Sequence, residues 1–534
     1  MKTKALATVA GLALAAGVVG CNNGLTDLNN NPNSPTSAPP GALFTYAARD
    51  AVGTWLGGGS ADLRGAEFVA QQLGEAQYPQ EDEYQRLQAS NTAGLFDNSY
   101  QNHLEDLRKV IAAGQDAQDA GIYGPAMVLQ TWSFDYLTDL FGDVPYSDAL
   151  KGDSTGDSAL KPKYDKQSDI YTGMFKTLTD AVTAMDAGGA AGLGGADPIY
   201  GGDLGEWEKF ANSLHARLAM RIVNVDETTA RAELKAAFTA PGGVIESNAD
   251  NAELRWPGDG VYNNPWTDNF KGRDDHRMAK PFMDILVANN DPRLPIWAQP
   301  VQDSSVYANG YGGMPNGLSQ AEAGTWTGTA SRPGAIFWPG ATSIGVIGSP
   351  ANASLPSYLM TAAEVDFIKA EMAERGFDPF NAGQAKGFYE DGIRASMEQW
   401  GVTDQAAIDA YLAGPNVAYK GDGTGTSGDP GLKQIAVQKW LALFTDGSQA
   451  WFEWRRTCQP QTIVAGPAAI IPTVPRRYEY STTEQTVNAD NLAAAVADLD
   501  GGKDDFTSRM WWDNSKVTGN APTYVDDATC TGHR

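Results

Sequence analysis

The stretch LMTAAEVDFIKAEMAERG, residues 359–376, decides the fold class because it contains both ends of a helix signal. Thr361 and Glu364 have the spacing of a capping box, in which each side chain bonds the backbone N–H of the other residue. The apolar residues that recur on the following face are Val365, Ile368 and Met372. Gly376 is typical of the residue just past a helix end. The segment therefore predicts an amphipathic helix.

The same apolar periodicity occurs elsewhere in the chain. The clearest further segments are residues 125–141, 207–223, 389–400 and 432–444. In the first of them, Pro125 predicts the helix start and Gly142 the helix end. The tryptophans that fall inside these periodicities, and that we therefore expect in the core, are Trp132, Trp207 and Trp440. The chain shows no clean 34-residue repeat, but helices of this length with short connections are consistent with a mainly α fold of antiparallel, repeat-type helix pairs.

The middle of the chain differs from both flanks. From about residue 240 to 350 it is rich in Gly, Pro, Asn and aromatics, as in WPGDGVYNNPWTDNF (256–270) and YANGYGGMPNG (307–317). Loop regions of this length are functional or disordered, and the tryptophans argue against disorder. About 500 residues ordinarily form several domains, although one large domain is possible, and we expect one domain, residues 41–534. Its helical scaffold is predicted at 41–240 and 355–534, with a loop-rich insertion at about 240–350.

The N-terminus has the layout of a bacterial signal peptide. Lys2 and Lys4 precede an apolar stretch at residues 5–19, which ends in Val-Val-Gly-Cys at 18–21. A small residue before a cysteine at this point favours cleavage after residue 20 and lipidation of Cys21. A plain signal peptide that contains a cysteine is the alternative. Residues 21–40 are rich in Asn, Ser and Pro and predict a flexible tether.

Composition and motifs exclude several function classes. The 65 acidic and 39 basic residues give a net charge of −26, which argues against nucleic acid or an anionic membrane surface as the ligand. The chain has no H-E-x-x-H, G-x-S-x-G or Walker motif. The four histidines, His103, His215, His276 and His533, show no metal-ligand spacing. We therefore predict no catalytic residue, metal or cofactor, and we expect the pair Asp274-Asp275 to be solvated.

Ordered motifs along most of the chain carry a family resemblance. They are the cysteine motif followed by LTDLNNNPN (25–33), TDLFGDVPYSDAL (138–150), WEKFANSLHARLAMRI (207–222), NDPRLPIW (290–297), the stretch 359–376, YEDGIRASMEQWGV (389–402), QKWLALFTDGSQAWFEWRRT (438–457), PRRYEY (475–480) and RMWWD (509–513). Together they resemble the SusD/RagB family of nutrient-binding outer-membrane lipoproteins, in particular its SusD-like branch. The sequence departs from the family pattern at Ser481, where proline is common, and in lacking acidic residues close to Cys21.

The resemblance implies both a fold and a function. The implied fold is a set of tetratricopeptide-like helix pairs that support an irregular ligand-binding half. The implied function is a lipid-anchored protein of the outer membrane, at the cell surface, that delivers a nutrient to a SusC-type TonB-dependent transporter. An oligosaccharide is the favoured ligand and a peptide, as in RagB-like members, is the alternative. A glycan-active enzyme or an adhesin is a further alternative. The paired residues Arg455-Arg456 and Trp511-Trp512 are expected to be packing and ion-pair elements.

Aromatic side chains in loops are the candidate ligand-binding residues. Flat rings cover the apolar C–H faces of sugars, while Asn, Asp and Arg side chains bind the hydroxyl groups. The candidates, each near Gly, Pro or Asn residues that favour turns, are Trp55, Tyr78, Trp256, Tyr262, Trp266, Tyr307, Tyr311 and Trp326. Burial in the core is the alternative for each tryptophan.

The two cysteines other than Cys21 are candidates for a disulfide. Outside the cytoplasm Cys458 and Cys530 can pair, although two lone cysteines can also lie apart. The closed loop would contain about 70 residues, and its closure would stabilise the fold by roughly 4 kcal/mol in the chain-entropy account.

Overall fold

The computed structural model of the protein describes residues 38–513, with residues 60, 153–159, 190, 304, 341–347 and 427 left out. The signal peptide at 1–20, the lipid anchor at Cys21 and the cysteine at 530 lie outside the described residues, so these features remain predictions. The tether predicted for 21–40 lies almost entirely outside them as well. The first described helix begins at Pro40.

Helices make up most of the regular structure. In chain order they are α1 Pro40–Trp55, α2 Ala66–Val69, α3 Ala89–Ser99, α4 Glu105–Asp116, α5 Ala120–Phe141, α6 Gln167–Asp186, α7 Leu204–Arg221, α8 Glu227–Thr239, α9 Pro265–Asn269, α10 Lys280–Ala288, α11 Leu294–Trp297, α12 Gln320–Ala323, α13 Ala362–Glu374, α14 Ala382–Gln399, α15 Gln405–Leu412, α16 Pro430–Ala442, α17 Gly447–Thr457, α18 Thr482–Val487 and α19 Ala489–Asp498. Among the described residues, none of the helices combines the length and the apolar character that a membrane crossing requires.

Within the described ranges, four short strands form two small antiparallel sheets. The strands are β1 Leu73–Glu75, β2 Ala252–Arg255, β3 His276–Met278 and β4 Pro356–Met360. β1 pairs with β3, with Glu75 opposite His276, and β2 pairs with β4. The first sheet thus joins the chain just after α2 to the middle of the loop-rich region.

Successive helices pack side by side on both flanks of the loop-rich region. On the N-terminal side each helix from α4 to α8 packs against the next one, and on the C-terminal side α13 packs against α14 and α16. Between α8 and α13 the helices shrink to between 4 and 9 residues. The mainly α, tetratricopeptide-like fold expected from the sequence is confirmed.

The helix α13 confirms the opening motif and corrects one detail of it. Thr361 caps the helix by accepting from the backbone N–H of Glu364 at 3.3 Å, and Gly376 has the positive φ of a helix stop, +64°. The reciprocal half of the predicted capping box is wrong. Glu364 instead accepts two hydrogen bonds from Arg217 of α7, at 2.9 and 2.5 Å. Because both side chains are buried, this charge-assisted pairing outweighs a bond to the backbone.

The helix α5 begins earlier than its proline predicted. Asp119 accepts from the backbone N–H of Gly121 at 3.0 Å and starts the helix at Ala120, so Pro125 lies inside it. The predicted end is confirmed, since Gly142 follows the helix with φ +93°. Trp132, Trp207 and Trp440 are fully buried, which confirms the prediction that they belong to the core.

Buried arginines connect the C-terminal motifs to the scaffold. Arg455 donates to the backbone oxygen of Asp139 at 2.6 Å, and its guanidinium lies 4.6 Å from the Trp512 ring. Arg456 donates two hydrogen bonds to Glu371, at 2.8 and 2.7 Å. The predicted packing and ion-pair role of Arg455-Arg456 is therefore confirmed, and Trp512 is buried against Arg455.

Cys458 is disulfide-bonded and packs against Leu432 and Ala436. Its pairing with Cys530 remains a prediction because Cys530 lies outside the described residues. We expect that protein unfolded without reductant exposes no free thiol from either cysteine, and that reduction lowers the free energy of unfolding by roughly 2–4 kcal/mol. Thiol titration of the unfolded protein tests the first effect, and equilibrium denaturation with and without reductant, with C458S/C530S as the reference, measures the second. Two reactive thiols per chain in the unreduced protein would contradict the pairing.

Candidate ligand-binding site

A cleft of about 400 Å³ opens between α10 and the loop that follows α11. Its aromatic lining consists of Tyr307, Tyr311 and Trp326, three of the residues predicted from the sequence. Its other lining residues are Lys280, Met283, Asp284, Val287, Ala308, Asn309, Gly312 and Gly313. We call this site the aromatic cleft. It combines flat apolar rings with a few polar groups, which is the usual composition of a small-molecule site.

The polar groups of the aromatic cleft come mainly from one turn of α10. The ammonium nitrogen of Lys280 lies 2.6 Å from a carboxylate oxygen of Asp284, and both side chains are more than half exposed. Asn309 accepts from the backbone N–H of Tyr311 at 3.1 Å, so its amide nitrogen is oriented away from that bond. These groups can donate hydrogen bonds to, and accept hydrogen bonds from, the hydroxyl groups of a ligand that stacks on the rings.

The loop that carries Tyr307 and Tyr311 is fixed to the neighbouring backbone. The N–H of Ser331 donates to the carbonyl oxygen of Gly312 at 2.8 Å, and the N–H of Val301 donates to the carbonyl oxygen of Gly310 at 2.8 Å. The N–H of Met314 donates to the carbonyl oxygen of Met278 in β3 at 2.9 Å. The carbonyl oxygen of Met314 accepts from the N–H of Lys280 in α10 at 2.7 Å. Main-chain hydrogen bonds therefore hold the loop that lines the aromatic cleft.

Gly312 allows the close approach of the Tyr307 ring. A Cβ atom at this position would lie 2.1 Å from two carbon atoms of the ring, well inside van der Waals contact. The position of Tyr307 in the cleft thus requires glycine at residue 312.

We expect Gly312→Ala to weaken ligand binding about tenfold, or about 1.4 kcal/mol, because the added methyl group displaces the Tyr307 ring. The dissociation constant measured by calorimetry checks this. Gly324→Ala is the matched control, since no atom lies within 4 Å of a Cβ built there. Equal affinity of Gly312→Ala and the unmodified protein would contradict the assigned role of Tyr307.

A buried ion-pair group lies beside the segment that carries Trp326. Arg332 donates to both oxygens of Asp274, at 2.5 and 2.7 Å, and Arg277 donates to the backbone oxygen of Thr327 at 2.7 Å. Burial lowers the pKa of Arg277 from its usual value. The expectation that Asp274-Asp275 is solvated is wrong, because Asp274 pairs with Arg332 and Asp275 is buried beside Arg273. This group fixes the chain next to Trp326.

Tyr78 lies in the same region of the molecule without lining the cleft. It is 53% exposed, and the Arg273 guanidinium lies 5.0 Å from its ring. Two residues earlier, Ala76 belongs to the small apolar cluster against which Trp326 packs. The Tyr78 loop therefore lies close to the part of the loop-rich region that carries Trp326, and the role of Tyr78 in binding stays a prediction.

Three predicted tryptophans are buried, so the expectation that their rings are exposed is wrong. Each indole N–H donates to a buried acceptor: Trp55 to Ser133 at 2.8 Å, Trp256 to Ser357 at 2.9 Å and Trp266 to Asp62 at 2.7 Å. With the polar edge paired, burial of the large apolar ring is favourable. Tyr262 is exposed, but it lies 4.6 Å from the guanidinium of Arg49 on α1 and is not among the residues that line the cleft.

Sequence reasoning missed two parts of the site region. It did not identify Lys280 and Asp284, whose only signal is an oppositely charged pair four residues apart. It also missed a second pocket of about 240 Å³, whose aromatic lining is Trp266, Phe337, Tyr358 and Trp400. Trp266 was among the predicted candidates, but the other three come from distant parts of the chain and no local pattern marks them.

Comparison with known proteins gives consistent matches. A SusD-like family model, described as starch-binding and associating with the outer membrane, matches residues 32–481. A chitin-binding protein has a similar structure, with a TM-score of 0.72 and 27% identity, covering 89% of this chain and 100% of its own. No protein with a curated functional description matches the sequence.

Two further solved structures match over similar lengths. A chitin-binding SusD homolog from Flavobacterium johnsoniae has a TM-score of 0.72 and 26% identity, covering 91% of this chain and 98% of its own. A SusD homolog from Bacteroides uniformis has a TM-score of 0.71 and 25% identity, and the match covers 89% of this chain and 99% of that homolog.

Proposed function

Because the chain belongs to the SusD-like family of starch-binding proteins that associate with the outer membrane, we propose that it captures an oligosaccharide nutrient in the aromatic cleft. The observation that carries this proposal is the convergence of Tyr307, Tyr311 and Trp326 on one cleft. Aromatic rings beside hydrogen-bonding groups match the alternating apolar faces and hydroxyl groups of a sugar chain.

We further propose that the ligand is a neutral glycan, and chito-oligosaccharide is the first probe. Two of the similar structures carry the name chitin-binding, at 27% and 26% identity. The net charge of −26 disfavours a polyanionic glycan. The ring-lined cleft and the Lys280–Asp284 pair suit a ligand that offers hydroxyl and amide groups.

Binding rather than hydrolysis is the activity that the cleft favours. Glycoside hydrolases use two carboxyl groups on opposite sides of the scissile bond. Among the described residues that line the cleft, Asp284 is the one carboxylate, and it already pairs with Lys280. Incubation with chito-oligosaccharide followed by product analysis tests the enzyme alternative, and release of shorter chains would support it.

The proposed setting is the cell surface, with the chain anchored through Cys21 and associated with a SusC-type TonB-dependent transporter. The support is the family membership together with the apolar stretch that ends in Val-Val-Gly-Cys. Copurification of the transporter with the tagged, lipidated protein tests the association. If the protein is instead an adhesin, no transporter is expected to copurify with it.

We expect Cys21→Ser to abolish lipidation and to release the protein from membranes, because acyl chains on this cysteine are the proposed anchor. Metabolic labelling with a fatty-acid analogue, followed by membrane fractionation, measures both effects. Label that persists on the variant would contradict the anchor.

A panel of chito-oligosaccharides, malto-oligosaccharides and short peptides, titrated by calorimetry, tests the ligand class. We expect saturable binding of an oligosaccharide and none of the peptides. Binding of peptides alone would favour the alternative of a RagB-like peptide-uptake protein. No binding of any glycan in the panel would remove the support for an oligosaccharide ligand.

A further inference from the structure

A buried group of three potential metal ligands lies at the base of the loop that carries Tyr78. Glu75 ends β1, Glu81 lies in the loop, and His276 begins β3 opposite Glu75. One ligand atom from each residue lies within 4.8 Å of the other two. All three residues are at most 1% exposed.

Each of the three side chains has a buried polar atom without a hydrogen-bond partner. These atoms are Oε2 of Glu75, Oε2 of Glu81 and Nε2 of His276. The other carboxylate oxygens are occupied: Oε1 of Glu75 accepts from the backbone N–H groups of Gln77 and Tyr78, and Oε1 of Glu81 pairs with Arg64. Buried polar atoms are rarely left unpaired in native proteins, so three in one group point to a ligand.

The imidazole of His276 is oriented as a metal-binding histidine is. Its Nδ1 lies 3.0 Å from a carboxylate oxygen of Asp275, which favours the tautomer with the proton on Nδ1 and a free lone pair on Nε2. Phe68 stacks on the ring at 5.4 Å between centroids. Asp275 in turn pairs with Arg273, so a second shell already supports the ring.

We propose that Glu75, Glu81 and His276 bind a divalent transition-metal ion such as Zn²⁺. Calcium and magnesium prefer oxygen ligands alone, whereas an imidazole with carboxylates suits zinc and its neighbours. Bonds of about 2.1 Å place the ligand atoms of a tetrahedral ion about 3.4 Å apart. Glu75 Oε2 lies 3.9 Å from Nδ1 of His276, so binding of the ion through the unpaired Nε2 requires the Glu75 side chain to rotate towards that nitrogen.

A second group of acidic residues differs from the first because its oxygens already accept hydrogen bonds. Glu374, Asp422 and Asp429 also offer ligand atoms at metal-binding separations. Their oxygens are already used, however: Glu374 accepts from Tyr419 and from the N–H of Gly423, and Asp429 accepts from the N–H of Gly431. No ion is needed to satisfy this group.

The ion would connect two strands and the loop between α2 and α3. Glu75 would bind it through Oε2 while Oε1 accepts from the N–H groups of Gln77 and Tyr78, so that the ion fixes the loop as well as the sheet. The sequence did not predict a metal because His276 lies far along the chain from Glu75 and Glu81 and comes next to them only through the pairing of β1 with β3. The proposal is independent of which ligand the aromatic cleft binds.

Metal content tests the proposal on the purified full-length chain. The protein is stripped with chelator, incubated with Zn²⁺, desalted and analysed by mass spectrometry. We expect one Zn²⁺ per chain and a melting temperature several degrees above that of the stripped protein. Glu81→Gln and His276→Gln are expected to lose at least nine-tenths of the bound metal. Glu83→Gln, the same change two residues away outside the ligand group, is expected to retain it.

Because a buried histidine substitution can prevent folding, a second measurement uses the unmodified chain. Loaded with Co²⁺, it is expected to show one exchangeable, paramagnetically shifted imidazole N–H signal, from Nδ1 of His276. Absence of that signal, or less than one-tenth of an equivalent of Zn²⁺ on the unmodified protein, would overturn the proposal. Undiminished binding by Glu81→Gln would overturn it as well.

Discussion

Replacement of both Tyr307 and Trp326 by alanine is expected to weaken oligosaccharide binding at least about 30-fold. A well-covered aromatic ring contributes roughly 1–3 kcal/mol to a stacked complex, and these two rings line the same cleft. The loss of stability should be modest, because Tyr307 is partly exposed and Trp326 packs only against the edge of a small apolar cluster. Calorimetric titration and thermal unfolding of the same preparations separate the two effects.

The matched control for this change is Tyr46→Ala on α1. Tyr46 is 53% exposed and lies outside the residues that line the aromatic cleft. Unchanged affinity in the double variant would place the ligand elsewhere, and the pocket lined by Trp266, Phe337, Tyr358 and Trp400 would be the next candidate. A fall in melting temperature as large as that of a core tryptophan variant would show that the rings are structural.

Arg217→Ala is expected to lower the free energy of unfolding by about 3–5 kcal/mol. The side chains of Arg217 and Glu364 are 1% and 3% exposed, and they form a bidentate pair between α7 and α13. Removal of the arginine leaves Glu364 buried without its main counter-charge, which costs far more than the pair contributes by itself. Equilibrium denaturation in urea measures the change.

A surface ion pair supplies the comparison for this variant. Arg394 lies 3.0 Å from Asp409, with side chains 31% and 57% exposed, so Arg394→Ala should cost less than about 1 kcal/mol. A loss below about 1 kcal/mol for Arg217→Ala would mean that water reaches Glu364 in the folded protein. The burial seen in the structure would then not describe the protein in solution.

The helical part of the fold was predictable because apolar periodicity is a local property. Val365, Ile368 and Met372 predicted the buried face of α13, and all three are buried there. The errors arose where tertiary contacts decide. Glu364 has the spacing of a capping-box partner. Its carboxylate instead accepts from Arg217, which lies far away in the sequence, and so does not bond the backbone N–H of Thr361.

Aromatic residues in loops were only partly predictable for a related reason. Tyr307 and Trp326 line the aromatic cleft, whereas Trp256 and Trp266 follow the same Gly, Pro and Asn pattern and are buried. The difference is the partner of the indole N–H, such as Asp62 for Trp266, which comes from a distant part of the chain. A turn residue shows that the backbone bends but not which neighbour the ring meets.

The backbone hydrogen bonds of Gly312 and Met314 have a consequence for how such a binding site can change during evolution. They fix the path of the loop through main-chain atoms, which are the same for every residue except proline. The side chains of Tyr307, Ala308 and Tyr311 can therefore be exchanged with little effect on the loop's shape, whereas Gly310, with φ +75°, is needed for it. A new ligand specificity is thus accessible through a few single substitutions on an unchanged frame.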